Sequence, residues 1–430
     1  MEYISTKGTR SKKVIKKLKK LLKIAGPGII TGASDDDPSG IATYSMAGAQ
    51  AGYSLLWTAF ITYPLMAAVQ EMCARIGLVT QTGLAGTIKT HYKSKIFLYF
   101  LAILIIVSNT INIGADLAGM VAATRLILPL SPILLAIFYT IIIISLMIYF
   151  PYKIIAANLK WLTFALFAYI ASSIVSKMDW GAVIYGTLVP HVEFSKNTIA
   201  LVVGILGTTI SPYLFFWQTS EEVEEVKEQE KLQHKHIIVT KHELKMVRED
   251  VNIGMFLSNL VMFAIIATAA STLYANGINN IETADQAAKA LEPIAGKLSS
   301  LLFTLGIVGT GLLAIPVLAG AAAYAVAETF GWKEGLSKSF RQARAFYGVI
   351  VVSTVIGFIM TLSNINPFQA LLYTAIIYGL ISPILIAVIL VICNSAKIMG
   401  KYKNTAITNI LGGATFVLMS AAAIAFLLTL

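Results

Sequence analysis

Charged residues are scarce in this sequence of 430 residues: Asp, Glu, Lys and Arg make up 13% of it, whereas 57% of the residues are hydrophobic. A soluble domain of this length carries about 25% charged residues to cover its surface. Uninterrupted apolar runs such as "LLAIFYTIIIISLMIYF" approach the roughly 20 residues that cross a bilayer. The composition therefore predicts an all-α polytopic membrane protein and excludes a soluble globular one.

Cysteine and histidine are also rare, with two and five residues. Cys73 and Cys393 both lie in apolar runs, which indicates neither a disulfide framework nor a cysteine-ligated metal. His234, His236 and His242 lie among lysines and match no strong zinc spacing, so we interpret them as part of a solvated face. The remaining polar residues suggest no nucleophile–base pair, so we expect neither an enzyme nor a resident cofactor.

The positive charge is unevenly distributed along the chain. The segment "KGTRSKKVIKKLKKLLK" precedes the first apolar run, and alternating the loops places most of the 33 Lys and Arg on the amino-terminal side. The positive-inside rule makes this side cytoplasmic. The tail is then a topology signal that can contact anionic lipid, with no need for a nucleic-acid partner. A cleaved signal peptide is the competing interpretation, and the lack of a clear small-residue cleavage site disfavours it.

Two of the predicted spans are interrupted by proline. The first breaks at "TGASDDDPSG" around Pro38, and the sixth breaks at "TTISPYLFF" around Pro212. Proline removes a backbone donor and clashes with the preceding turn, so both helices should unwind there. Unwound backbone at membrane depth is tolerated only where it is buried in protein or lines a cavity. The predicted spans are 25–50, 53–78, 96–123, 129–149, 157–176, 197–219, 252–275, 299–328, 345–363, 367–392 and 406–430.

The two interruptions lie five spans apart, and an odd repeat length inverts the second copy relative to the first. This pattern is typical of transporters built from inverted repeats, which bind their substrate between two broken helices near the midplane. The predicted organisation is a cytoplasmic tail (1–24), a first repeat of helices 1–5 (25–176), an external loop (177–196), a second repeat of helices 6–10 (197–392) containing a cytoplasmic helical loop (220–250), and a loop with helix 11 (393–430).

Three consecutive aspartates in the first break indicate a cation site. An ionised Asp at the bilayer centre costs about 2.5 to 3.5 kcal/mol, so inert filler is not expected there. Several acids beside hydroxyls and free carbonyls favour a hard, doubly charged cation. Asp37 directly precedes the proline and is predicted as the direct ligand, near the carbonyls around Ser34. Asp35 and Asp36 lie on other sides of the turn, where they attract the ion, cap the second half-helix or face water.

The sixth break supplies hydroxyl groups. Thr208, Thr209 and Ser211 precede or enter the break, and Pro212 should free the carbonyl around Thr208. Such side chains in membrane helices more often bond back to the preceding turn. Asp116, in "GADLAG" of the third span, is a further intramembrane acid that can line the pathway, pair or relay protons.

These segments resemble the Nramp family of divalent-metal transporters. The resemblance covers most of the chain, through "GPGIITGASDDDPSGIAT", "QEMCARIGLVTQTGLAG", "GADLAG" and "ILGTTISPYLFF". It implies a LeuT-like fold of 5+5 inverted repeats plus one additional helix, with helices 1 and 6 broken. It also implies metal binding at the family's D-P-G-N and M-P-H motifs.

The sequence departs from both motifs. Ser39 and Gly40 stand where the family has Gly and its metal-binding Asn, and Ser211 stands where it has Met. Tyr213 and Gln218 stand where the family has sixth-helix histidines. Gly119 stands where it has a third-helix Glu linked to the proton route, and Ala375 where it has a tenth-helix Gln. Losing the soft thioether leaves an oxygen-only, wider site that suits partly hydrated Mg²⁺. Losing the histidines and the Glu weakens proton coupling.

We therefore expect an alternating-access importer of Mg²⁺, and also of Mn²⁺, most similar to the Nramp-related magnesium transporters. The alternative is an ordinary proton-coupled Mn²⁺ or Fe²⁺ importer; a sodium-coupled amino-acid transporter is disfavoured because three acids would repel a carboxylate. The predicted metal ligands are Asp37, Ser34, Gly40, Thr208 and Ser211, with Asp35, Asp36, Thr209 and Tyr213 outside them, Pro38 and Pro212 as helix breaks, and Asp116 and Gln218 along the pathway.

Overall fold

The computed structural model describes residues 27–92, 94–151, 154–155, 164–176, 178–233, 239–363 and 365–430. The predicted basic tail (1–24), residues 157–163 of the predicted fifth span, and His234 and His236 lie outside the described residues. Helices provide all the regular secondary structure in the described part of the chain.

The described helices have the following bounds. They are α1 Pro27–Asp35, α2 Pro38–Ala51, α3 Trp57–Thr80, α4 Leu84–His91, α5 Lys95–Thr124, α6 Pro132–Tyr149, α7 Phe167–Val175, α8 Trp180–Leu188, α9 Lys196–Thr209, α10 Pro212–Gln233, α11 Lys241–Thr272, α12 Ala284–Ala288, α13 Glu292–Ala295, α14 Ser299–Phe330, α15 Arg344–Thr361, α16 Pro367–Asn394, α17 Ala396–Met399 and α18 Ala406–Leu427.

Eight helical segments among the described residues are long and apolar enough to cross a membrane, and a ninth is counted if the bent pair Pro38–Leu55 and Trp57–Thr80 forms one span. The pair is bent by 107°. The bend follows Gly52, whose φ of +58° lies in the region that favours glycine. The exterior of the bundle is apolar, since Ile96, Phe194 and Leu428 are each more than 80% exposed. The prediction of an all-α, multi-pass membrane protein is confirmed.

The first and sixth spans are each interrupted where the prolines predict it. The first consists of α1 and α2, which are separated by Asp36 and Asp37. The sixth consists of α9 and α10, which are separated by Ile210 and Ser211. In both cases a proline is the first residue of the second half-helix, where its missing N–H costs nothing.

The charged segment at 220–250 extends the sixth and seventh spans as helix. The helix α10 continues to Gln233, and α11 begins at Lys241, eleven residues before the predicted span. A capping box fixes that start: Thr240 Oγ1 accepts the Glu243 N–H at 3.2 Å, and Glu243 Oε2 accepts the Thr240 N–H at 2.7 Å. The segment is not solvated throughout, because Glu222 is only 2% exposed.

Glycines allow the broken spans to pack backbone against backbone on their neighbours. A Cβ placed on Gly32 of α1 would lie 2.4 Å from the carbonyl of Gly254 in α11, and one on Gly254 would lie 2.2 Å from the carbonyl of Gly28. A Cβ on Gly207 of α9 would lie 2.3 Å from the amide nitrogen of Gly379 in α16. Small residues permit this close approach in membrane helices. The first span therefore packs in close backbone contact against the seventh span, and the sixth span does so against the tenth.

Candidate metal site

The first break is organised by Asp37, which caps the amino terminus of α2. Its backbone is extended, with φ −71° and ψ 172°. Its Oδ1 accepts the Gly40 N–H at 2.7 Å and the Ser39 hydroxyl at 2.8 Å. Its Oδ2 accepts the Asn112 Nδ2–H of α5 at 3.0 Å. The interpretation that Asp35 or Asp36 caps this half-helix is therefore wrong: the cap is the residue adjacent to the proline, because only its side chain reaches the free N–H groups.

Asp35 and Asp36 point instead towards α11, where they share one hydroxyl. Ser258 Oγ lies 2.6 Å from Asp35 Oδ2 and 3.3 Å from Asp36 Oδ1. All three consecutive aspartates are at most 3% exposed. No three His, Cys, Asp or Glu side chains among the described residues converge as a metal-binding group. The three aspartates therefore face different partners and do not converge on one point, as the turn geometry of the sequence predicts.

The carbonyl groups at the sixth break are already bonded to hydroxyls. Ser211 Oγ donates to the Thr208 carbonyl at 2.5 Å. Ser382 Oγ of α16 donates to the Ile210 carbonyl at 2.8 Å. Thr209 Oγ1 bonds back to the Ile205 carbonyl at 2.6 Å. The expected free carbonyl around Thr208 is therefore not free, because a proline-adjacent serine substitutes for the missing helical donor.

The two breaks face each other through short polar contacts. A Cβ placed on Gly40 would lie 3.2 Å from Thr208 Oγ1, so this hydroxyl faces the amino terminus of α2. Tyr213 donates to the Ser34 carbonyl at 3.0 Å. Tyr44 OH lies 3.1 Å from Thr209 Oγ1. The structure brings together the predicted residues of both motifs, and the Ser34 carbonyl has Tyr213 as its partner.

Gln218 lies away from the breaks, between the two half-helices α1 and α10. Its Oε1 accepts the Thr31 hydroxyl at 2.6 Å, and its Nε2 donates to Glu222 Oε1 at 2.8 Å. The bond to Thr31 joins α10 to α1, whereas the bond to Glu222 lies within α10, one turn further along. Its predicted place along the pathway stays a prediction.

Asp116 and Asn112 occupy one face of α5, next to the break. Both are 0% exposed. Neither carboxylate oxygen of Asp116 has a hydrogen-bond partner among the described residues, and the same is true of Asn112 Oδ1. Electrostatic repulsion acts between Asp116 and Asp37. The unpaired carboxylate agrees with Asp116 having a functional position, since buried polar groups are otherwise bonded.

Four residues of this region were not predicted from the sequence: Asn112, Ser258, Met262 and Ser382. Met262 belongs to α11, and its Sδ lies 3.6 Å from Thr209 Oγ1. The oxygen-only prediction considered spans 1 and 6 alone, so it missed this thioether. The available signal was helical spacing: Asn112 precedes Asp116 by four residues, and Ser258 precedes Met262 by four. Nothing in the sequence indicated which neighbouring span would approach the breaks.

The fold and the paired breaks define the class of architecture: a LeuT-like inverted repeat with two broken helices. The structure of MhsT in complex with L-phenylalanine matches at a TM-score of 0.57, with 13% identity, covering 94% of this chain and 98% of that one. A structure of the manganese transporter of Eremococcus coleocola, in complex with an aromatic bis-isothiourea substituted compound, matches at a TM-score of 0.76 and 18% identity, covering 95% of this chain and 87% of that one. These likenesses confirm the predicted fold.

Residues 28–429 match the family model described as natural resistance-associated macrophage protein-like, or Nramp. The chain belongs to the Nramp family. Among similar curated proteins, the divalent metal cation transporter MntH of Klebsiella pneumoniae is 25% identical over 392 residues, covering 89% of this chain and 88% of its own length. The MntH protein of Caldanaerobacter subterraneus is 25% identical over 404 residues, covering 92% and 90%.

Proposed function

We propose that this protein transports a divalent metal cation, bound between the α1–α2 break and the α9–α10 break. The proposal rests on the buried carboxylate of Asp37. It accepts the Gly40 N–H, and Gly40 in turn faces the Thr208 hydroxyl of the other break. A carboxylate offers about four lone-pair positions, and Asp37 uses three of them for protein donors. The remaining position on Oδ2 is available to a cation. The names of the MntH relatives support this assignment.

We propose Mg²⁺ as the main ion, with Mn²⁺ also carried. Ser211 and Gly40 replace a methionine and an asparagine of the family motifs, which removes two direct ligands. A site with few direct protein ligands suits an ion that retains several of its waters, as Mg²⁺ does. Asp35 and Asp36 add negative charge next to that water shell. The Met262 thioether lies beside Thr209 and favours Mn²⁺ over Mg²⁺ if it reaches the ion.

The proposed transport cycle alternates access by movement of α1–α2 and α9–α10 against the remaining helices. The amino terminus is proposed to be cytoplasmic, as the positive-inside rule predicts. A divalent ion moving inward gains about 4.6 kcal/mol per 100 mV, twice the value for one charge. The membrane potential therefore suffices to drive uptake, and strict proton coupling is not required. The alternative is a proton-coupled Mn²⁺ or Fe²⁺ importer. The Eremococcus coleocola protein is a manganese transporter, which favours Mn²⁺ as the ion in that alternative.

Sealed liposomes that contain the protein and a magnesium-responsive dye test this function. We expect voltage-driven Mg²⁺ entry without proton entry. Asp37→Asn should abolish uptake while preserving the fold, because Asn also caps helices well. Asp285→Asn, an exposed carboxylate change, is the control and should transport normally. Normal uptake by Asp37→Asn would contradict the site, whereas Mn²⁺ entry with acidification and no Mg²⁺ signal would support the alternative.

The ion preference has a separate test in Ser211→Met, which restores the soft ligand of the family motif. We expect the ratio of Mn²⁺ to Mg²⁺ uptake to rise, because a thioether favours the transition metal. Competition of Mn²⁺ against Mg²⁺ entry measures the ratio. An unchanged ratio would show that residue 211 does not contact the ion.

A further inference from the structure

Three buried oxygen atoms on one face of α5 lack partners among the described residues: Oδ1 of Asn112 and both carboxylate oxygens of Asp116. The two residues are four apart, so their Cβ atoms lie about 6 Å from each other on the helix. Buried polar atoms in native proteins are nearly always bonded to protein, water or an ion. A group of three such atoms on adjacent turns therefore points to a ligand.

The orientation of the Asn112 amide is set by Asp37. Its Nδ2 donates to Asp37 Oδ2 at 3.0 Å, and the reversed amide would place two oxygens against each other. The Asn112 oxygen is thus directed away from Asp37. The Tyr378 hydroxyl interacts with the Asn112 side chain, but its single proton is donated to Asn109 Oδ1 at 3.0 Å, so the Asn112 oxygen does not receive that proton. The oxygen remains available as a ligand.

The charge around Asp116 also favours a cation. Asp37 repels it, and the favourable interaction that offsets this repulsion comes from the backbone N–H of Ser39, which carries no full positive charge. Within the part of the chain that the structure describes, the basic side chains of Arg75, Lys245 and Lys289 form ion pairs with carboxylates other than that of Asp116. A buried carboxylate without a paired cation is unfavourable unless a ligand or a proton neutralises it.

We propose that Asn112 and Asp116 form a second position for the cation, separate from the position at Asp37. The direct ligands are the Asn112 amide oxygen and the Asp116 carboxylate, and water completes the shell. An all-oxygen set of this kind takes hard divalent cations. Two divalent ions this close would repel each other strongly, so one ion occupies the two positions in turn. The inference rests on the proposed function, because the ion is the transported one.

Equilibrium binding of Mn²⁺ alone to the purified full-length protein tests the second position, with free Mn²⁺ followed by its electron paramagnetic resonance signal. The background variant is Asp37→Ser, which retains a capping oxygen for α2 and leaves the Asn112 amide in place. This variant should still bind Mn²⁺. Adding Asp116→Asn or Asn112→Leu should weaken its binding at least about tenfold. The matched control adds Asn259→Leu, a buried asparagine of α11 that bonds to Met66 and Thr62.

A gain of binding provides a readout that misfolding cannot imitate. In the Asp37→Ser background, Asn112→Asp adds a charged ligand and should tighten Mn²⁺ binding about tenfold. The second position is wrong if Asp37→Ser abolishes Mn²⁺ binding while Asn259→Leu alone binds normally. It is also wrong if Asp116→Asn changes nothing, the result expected when Asp116 carries only a proton. Failure of the unmodified protein to bind or transport any divalent ion would instead overturn the proposed function.

Discussion

The contact between α1 and α11 makes Gly32→Ala a sharp test of how the first break is positioned. The new methyl group would lie 2.4 Å from the carbonyl carbon and oxygen of Gly254. Ordinary contact begins near 3.4 Å, so the helices must separate by about 1 Å. Neither partner is a flexible side chain that can move aside, because the obstructing atoms are backbone. Overpacking of this kind costs about 1–3 kcal/mol.

The separation of α1 from α11 should disturb the metal site as well as lower the stability of the protein. Asp35 follows Gly32 by one helical turn and is bonded to Ser258 at 2.6 Å. A shift of about 1 Å stretches that bond beyond the usual upper limit of about 3.0 Å for O–H···O bonds. We therefore expect Gly32→Ala to lower both the thermal unfolding temperature and divalent-cation uptake into proteoliposomes.

The control is Gly413→Ala in α18, where an added Cβ meets nothing within 4 Å. The same chemical change should there leave uptake unchanged and give stability equal to or above that of the unmodified protein, because Ala favours helix. Wild-type unfolding temperature and uptake in Gly32→Ala would refute the backbone-to-backbone seating of α1 on α11.

Two further predictions concern polar groups. Ser258→Ala removes the hydroxyl shared by Asp35 and Asp36. It should lower the free energy of unfolding by about 1–3 kcal/mol, measured as a lower unfolding temperature. The control Ser353→Ala should change that temperature little, because the buried Ser353 hydroxyl has no partner among the described residues. Burial raises the pKa of Glu334, in the loop after α14, from 4.5 to about 7. The charges that act on it include those of Lys227, Lys338, Glu224 and Lys89. The folded state holds this proton more tightly than the unfolded state, so the contribution of Glu334 to stability should fall as pH rises from about 4.5 through about 7. Glu334→Gln should flatten that decline in unfolding temperature, and an unchanged pH profile would contradict the assignment.

The membrane class and the positions of both breaks follow from the sequence alone. The length of an apolar run is set by the thickness of the bilayer, and a proline interrupts the helix that contains it. Membrane spans and helix breaks are therefore local properties of the sequence. The breaks at Pro38 and Pro212 therefore lie where the sequence predicts them. The separation of the breaks by five spans predicted their pairing in an inverted repeat, and the solved structures of similar fold confirm that architecture.

Only the tertiary structure decided which groups surround those breaks. Asn112 bonds to Asp37 across 75 residues, Ser258 to Asp35 across 223, and Ser382 to the Ile210 carbonyl across 172. In a bundle of similar apolar helices, hydrophobicity does not distinguish one neighbour from another. The choice is made by the close approach of glycines and by the need of every buried polar atom for a partner. These are properties of two surfaces in contact, so a pattern along one chain segment does not contain them.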